Sequence, residues 1–160
     1  EVKYAGERAA KIADEYTVLR PSVIYDLASD NFVTWALDEL DAGEELTIVD
    51  DQVSAPTYAP DLAQACVEAI NEGHTGLYHA TGPKSCSRYE FTVELAEIYG
   101  YDAGLVKPIT TEEFGQEARR PADSTLDSSQ LYKAVGFEFC PPGEGFAAMR
   151  ERDHGGDEGA

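Results

Sequence analysis

The sequence predicts an α/β fold, and three observations carry that prediction. Short apolar runs rich in β-branched residues alternate with amphipathic helical stretches. Glycines follow the helical stretches at Gly43, Gly73 and Gly136, where a chain leaving a helix uses left-handed backbone. No internal repeat interrupts the alternation, and 160 residues suffice for one domain with a core of its own.

Taken in order, Tyr4 to Glu15 reads as a helix with Ala9, Ile12 and Ala13 as its apolar stripe. It opens without a cap, so the chain reads as a piece of a longer protein. Thr17 to Tyr25 (TVLRPSVIY) is a strand that loosens near Pro21. Ser29 to Ala42 is a helix, because Phe32, Val33, Ala36, Leu37 and Leu40 recur at three and four. Leu46 to Val49 is a buried strand. The chain then turns through Ser54-Ala55-Pro56-Thr57 into a helix over Pro60 to Glu72, with Pro60 suited to its first turn and Asp61 to its dipole.

Gly76 to Ala80 is a short strand. Ser87 to Tyr99 is a helix opened by a Ser87/Glu90 capping box, with Phe91, Leu95 and Ile98 on its inner face. Tyr89, Tyr99 and Tyr101 read as edges of the core. Leu105 to Ile109 is a short strand, and Thr110-Thr111 with Glu112-Glu113 opens a single helical turn. Ser128 to Val135 is a helix, and a last helix follows Pro141-Pro142 through Met149. Residues 154–160 are Gly- and acid-rich and expected to fray.

Composition narrows the function classes. The chain holds 31 acidic and 12 basic residues, a formal net charge of −19. Phosphate backbones need a basic face, so nucleic acid is excluded as a partner. A uniformly acidic surface poor in lysine suits a high-salt cytoplasm, where salt screens self-repulsion, and a halophilic source is expected. Cys66, Cys86 and Cys140 form no CxxC pair and read as small hydrophobes or free thiols in a reducing compartment. Three scattered histidines offer no metal spacing. No signal peptide or long apolar run appears, so the expectation is a cytoplasmic protein without membrane contact.

The Asp50–Ala63 segment gathers Asp50, Asp51, Gln52 and Thr57 where a strand ends and a helix begins, the edge at which α/β proteins hold ligands. Three other clusters accompany it: Lys3-Tyr4-Ala5-Gly6-Glu7, Leu19-Arg20-Pro21-Ser22-Val23-Ile24-Tyr25 and Arg119-Arg120-Pro121 through Leu126-Asp127, with Asn31-Phe32 opening a helix between. In this order and spacing they resemble the C-terminal half of extended short-chain dehydrogenases/reductases, and within them the dTDP-4-dehydrorhamnose reductase family. The resemblance runs from Lys3 to about Phe146.

That resemblance implies the C-terminal portion of a Rossmann-like reductase with a small α+β substrate-binding subdomain. Residues 1–50 would end the Rossmann-like sheet, 51–150 would form the subdomain and 151–160 an acidic flexible tail. It implies NAD(P)H-dependent reduction of a 4-keto nucleotide-diphosphate sugar, dTDP-4-dehydrorhamnose above others, with NADP or NAD as cofactor and a homodimer left open. Lys3 would be the lysine of a Tyr-x-x-x-Lys pair, binding the nicotinamide ribose and lowering the tyrosine pKa. Counting back, that tyrosine would precede Glu1. Pro21, Ser22 and Val23 would lie beneath the nicotinamide. Asn31, Phe32, Gln52, Pro56, Thr57 and Arg120 would line the substrate site, Arg120 gripping the diphosphate bidentately, with Arg119 sharing that task or pairing with Glu117.

Alternatives stand beside several of these. Arg20 also reads as a charge tied to a nearby acid, Asn31 as a helix cap, and Phe32 as core. Val23 departs from the family, where tryptophan commonly touches the sugar, which leaves a nucleotide-sugar epimerase or dehydratase in play. A non-catalytic relative, such as the regulatory subunit of methionine adenosyltransferase, is the reading from another class. No glycine-rich dinucleotide loop occurs in these residues, so the 160-residue chain is expected to be inactive alone.

Overall fold

The computed structural model describes residues 2–116 and 118–155. The first half of the chain runs α1 (Val2–Ala10), β1 (Thr17–Arg20), β2 (Ile24–Tyr25), α2 (Phe32–Asp41), β3 (Leu46–Val49), β4 (Val53–Ser54), β5 (Thr57–Tyr58) and α3 (Ala59–Asn71). The second runs β6 (Gly76–His79), β7 (Cys86–Ser87), α4 (Arg88–Tyr99), a 3-10 turn over Ala103–Leu105, β8 (Val106–Ile109), α5 (Thr111–Phe114), α6 (Ser129–Val135) and α7 (Pro142–Gly155). The strands pair two by two. β1 with β6, β2 with β5 and β3 with β8 are parallel, while β4 with β7 is antiparallel. The fold is α/β, as the alternation of elements predicts.

Two apolar clusters hold it together. The larger centres on Tyr25, Phe91 and Phe146, whose rings meet at centroid distances of 4.8 to 5.3 Å, edge-on or tilted. Val33, Leu40, Ile48, Leu95 and Met149 surround them, with Tyr89, Tyr99 and Tyr101 at the margin. The smaller cluster packs Ala65, Ala80, Leu131 and Phe139 with Leu19 and Tyr78, so α3 and α6 cover the β1–β6 pair. These clusters draw on elements that alternate along the chain.

Several local expectations change. The stretch 17–25 is two strands, because Pro21 brings no N–H and the chain shifts sheets there. β1 stays with β6, while Ser22 N–H and Val23 C=O turn to Thr57 and start the β2–β5 pair. The turn at 54–57 carries strand residues on both sides, Ser54 opposite Cys86 and Thr57 opposite Ile24. α1 ends at Ala10, and Ile12 is exposed rather than part of an inner stripe. α7 continues past Met149 to Gly155, where Arg152 ties it to the Asp26 carboxylate and, at 3.0 Å, to the Tyr58 hydroxyl. Of the expected tail, residues 151–155 are therefore helical, and 156–160 lie outside the described residues.

Candidate functional site

A cleft opens between α2, the end of β3 and the α5 segment. Phe32 and Trp35 form one wall, Thr47, Ile48 and Val49 the floor, and Phe114 and Gln116 the far side, with Arg88 and Arg120 at its polar end. Its volume is about 170 Å³, and it opens to solvent at one side, so a ligand seated in it would extend beyond it. A second chamber continues past the same two arginines to Val23, Gln52, Ser54, Pro121 and Ser124. A narrow third one touches Val23, Pro56, Phe91 and again Arg88.

Local chemistry places each wall. Asn31 caps α2: its Oδ1 accepts from Val33 N–H at 2.8 Å, and Thr34 Oγ1 accepts from the Asn31 N–H at 2.9 Å. This makes Phe32 the first helical residue and sets Trp35 one turn on. Ser87 and Glu90 close the capping box predicted for α4, which starts that helix at Arg88. Asp51 accepts from both the N–H (3.0 Å) and the hydroxyl (2.5 Å) of Thr111, which lowers its pKa. Gln52 donates to Thr111 Oγ1 and Gln116 Oε1, each at 2.8 Å. The α5 segment is thus pinned across the cleft. Arg120 is brought in by backbone bonds that follow it, Val53 N–H to Ala122 C=O at 2.7 Å and Ser124 N–H to Val53 C=O at 3.0 Å.

The electrostatics of the cleft oppose those of the chain. Several cations outside the cleft meet acids: Arg20 with Glu7, Lys84 with Glu94, Arg152 with Asp26. Among the described residues, no carboxylate lies within ion-pair distance of the Arg88 or Arg120 guanidinium. Arg88 instead sits over the Phe32 ring, 4.8 Å from its centroid. Burial, and then the positive field of Arg120, lower its pKa. Two like charges with no counter-charge among the described residues, beside aromatic walls, suit an anionic ligand that also carries a ring.

The RmlD substrate binding domain model matches residues 1–153. The chain belongs to this family. It is 32% identical over 148 residues to a dTDP-4-dehydrorhamnose reductase of Aggregatibacter actinomycetemcomitans, covering 85% of the chain and 50% of that protein. It is 30% identical over 143 residues to methionine adenosyltransferase 2 subunit beta of Xenopus tropicalis, covering 83% and 42%. The crystal structure of dTDP-4-dehydrorhamnose reductase from Bacillus anthracis, in complex with NADP, superposes with a TM-score of 0.86 at 31% identity, covering 94% of this chain and 53% of that one. The chain spans about half the length of the relatives it matches.

Within this family member, the expected site residues separate into three groups. Phe32, Gln52, Pro56, Val23 and Arg120 line the cleft or its continuations. Asn31 and Thr57 direct their polar atoms into the fold. The Asn31 amide is consumed by the cap and by the carbonyls of Asp26 and Ser29. Thr57 is fully buried, its hydroxyl accepting from Ser22 N–H and donating to Ala80 C=O, so it latches β5 to its neighbours. The third group stands at the C-terminal end of β1. Pro21 and Ser22 leave that strand end, and Lys3 is exposed on α1, one turn before Glu7, which grips Arg20 through two bonds of 2.8 and 2.6 Å. The acid-tied reading of Arg20 is the one observed. Arg119 is exposed and Glu117 lies outside the described residues, so that pairing stays outside the described geometry.

Arg88 is the residue that sequence reasoning missed. Its signal was present: the Ser87-x-x-Glu90 box sets residue 88 at a helix start, and cations are scarce in this chain. Among the described residues, no His/Cys/Asp/Glu cluster fits a metal ion, and no helix is long and apolar enough to cross a membrane.

Proposed function

We propose that this chain is the substrate-binding half of an NAD(P)H-dependent reductase acting on a 4-keto nucleotide-diphosphate sugar, with dTDP-4-dehydrorhamnose as the favoured substrate. The observation that carries this reading is the pair of guanidinium groups, with no acid partner among the described residues, at the end of an aromatic cleft. The relatives named as dTDP-4-dehydrorhamnose reductases point to the same class of ligand.

In this reading Phe32, Trp35 and Phe114 take the nucleobase by stacking, and Arg120 holds the diphosphate. The sugar then extends into the chamber beside Val23, Gln52 and Ser54. The backbone at Pro21 to Val23 stands where that chamber meets the end of a parallel strand, the position at which α/β folds seat a cofactor. Lys3, held near by the Glu7–Arg20 pair, supplies an exposed ammonium for a ribose. These residues fit the nicotinamide end of NADP, the cofactor of the Bacillus anthracis neighbour, or of NAD. When bound, that cofactor supplies the hydride. The chain's own part is to bind and orient: the aromatic walls and arginines fix the nucleotide, and Val23 leaves the sugar pocket open where the family commonly has a ring.

The acidic surface is proposed as an adaptation to a salt-rich cytoplasm. Calorimetric titration with dTDP and UDP tests the functional reading. Saturable binding of dTDP, stronger than that of UDP, supports it. No heat from either nucleotide at millimolar concentration sinks it.

A further inference from the structure

Arg88 occupies a position that diphosphate binding by Arg120 alone does not explain. It lines all three chambers, whereas Arg120 lines two. It is half-buried against Phe32, with no acid partner among the described residues, in a chain with a net charge of −19. Acids are therefore abundant, and none is spent on it. Holding two guanidinium groups around one cleft costs free energy unless an anion joins them.

The setting also favours more than one negative charge. Arg88 is the first residue of the twelve-residue helix α4, whose capped start fixes its backbone beside the cleft. Its stack on Phe32 holds the side chain in place before a ligand arrives, which reduces the ordering cost of binding. Phe32 is itself a wall of the aromatic chamber, so the group that pins Arg88 also touches the proposed base site. A single phosphate can engage one guanidinium well. Two linked phosphates can engage both.

We propose that Arg88 and Arg120 form a two-armed clamp that counts phosphates: it holds both phosphates of a nucleoside diphosphate, and Arg88 is the arm that discriminates against the monophosphate. This rests on the nucleotide reading above, and it assigns the specificity to a residue outside the expected site.

The test is calorimetric titration of the 160-residue chain with dTDP, dTMP and thymidine, in wild type, Arg88→Gln and Arg88→Lys. The wild type is expected to prefer dTDP to dTMP by about tenfold or more, the worth of one charge-assisted contact. Arg88→Gln loses that preference, weakening dTDP far more than it weakens thymidine. Arg88→Lys, which keeps the charge without the planar fork, falls between them. A wild-type dTDP-to-dTMP ratio in Arg88→Gln overturns the clamp while leaving the nucleotide reading intact. Absence of dTDP binding by the wild type overturns the nucleotide reading, and the clamp with it. Should Arg88→Gln not fold, Arg88→Lys decides: a reduced ratio supports the clamp and a wild-type ratio refutes it.

Discussion

Gly82 follows β6 and faces the loop that carries Pro56 into the cleft. A Cβ built on Gly82 would stand 2.3 Å from the Pro56 carbonyl oxygen and 3.6 Å from the Cys140 carbonyl oxygen. Both are backbone atoms, so no side-chain rotation relieves the overlap. Gly82→Ala must push the Pro56 loop away by about an ångström to restore normal contact distances. That movement strains the Gly82 N–H bond to Pro56 C=O, now 3.0 Å, a loss of about 1 kcal/mol. Overpacking adds about 1–3 kcal/mol. Together they amount to roughly 2–4 kcal/mol, or a fall in Tm of roughly 5–15 °C for a domain of this size. Thermal unfolding followed by circular dichroism reads this directly. Gly6→Ala is the control: nothing lies within 4 Å of its Cβ, and in the middle of α1 it should be neutral or stabilising by about 0.5–1 kcal/mol. If Gly82→Ala melts with the wild type, the close approach of these two loops is wrong.

Three further outcomes are expected. Asn31→Ala removes a cap and not a ligand contact, so it should cost about 1 kcal/mol in urea unfolding and leave the dTDP affinity unchanged; a large loss of affinity would return Asn31 to the binding site. Burial pushes the thiols of Cys86 and Cys140 up to about 11 and about 12 from 9.0. The unfolded chain ionises them first, so their contribution is full below about pH 9 and is lost as pH rises toward 12. The Tm should fall across that window, and a flat profile would contradict the burial of both groups. The net charge of −19 predicts that the Tm rises between low and molar salt, as screening relieves repulsion. A Tm that does not rise ends the halophilic reading.

Much of the fold is legible in the sequence, because its signals are local. Apolar spacing marks α2, α3 and α4, the Ser87/Glu90 and Thr110/Glu113 boxes mark two helix starts, and Gly136 adopts the left-handed backbone its position requires. The division of residues 17–25 between two sheets is not local. It depends on Thr57, thirty-five residues from Ser22, offering a buried hydroxyl where Pro21 breaks the strand. The site divides in the same way. Phe32, Gln52 and Arg120 belong to patterns that can be read along the chain. Asn31 and Thr57 belong to the same patterns, yet the fold spends their polar atoms on a cap and a latch. Arg88 has an unremarked place at a helix start in the sequence. Its role shows only when tertiary packing sets it on Phe32 and beside Arg120, away from every acid described.

Trp35 is the only tryptophan in the chain and lines the cleft, 44% exposed. Its fluorescence therefore reports on the central claim, that this cleft binds a nucleotide diphosphate between an aromatic wall and two arginines. Titration with dTDP should give a saturable change in Trp35 emission that Arg120→Gln weakens by about tenfold or more. An emission that stays constant to millimolar dTDP, or a response that Arg120→Gln leaves unchanged, would contradict it.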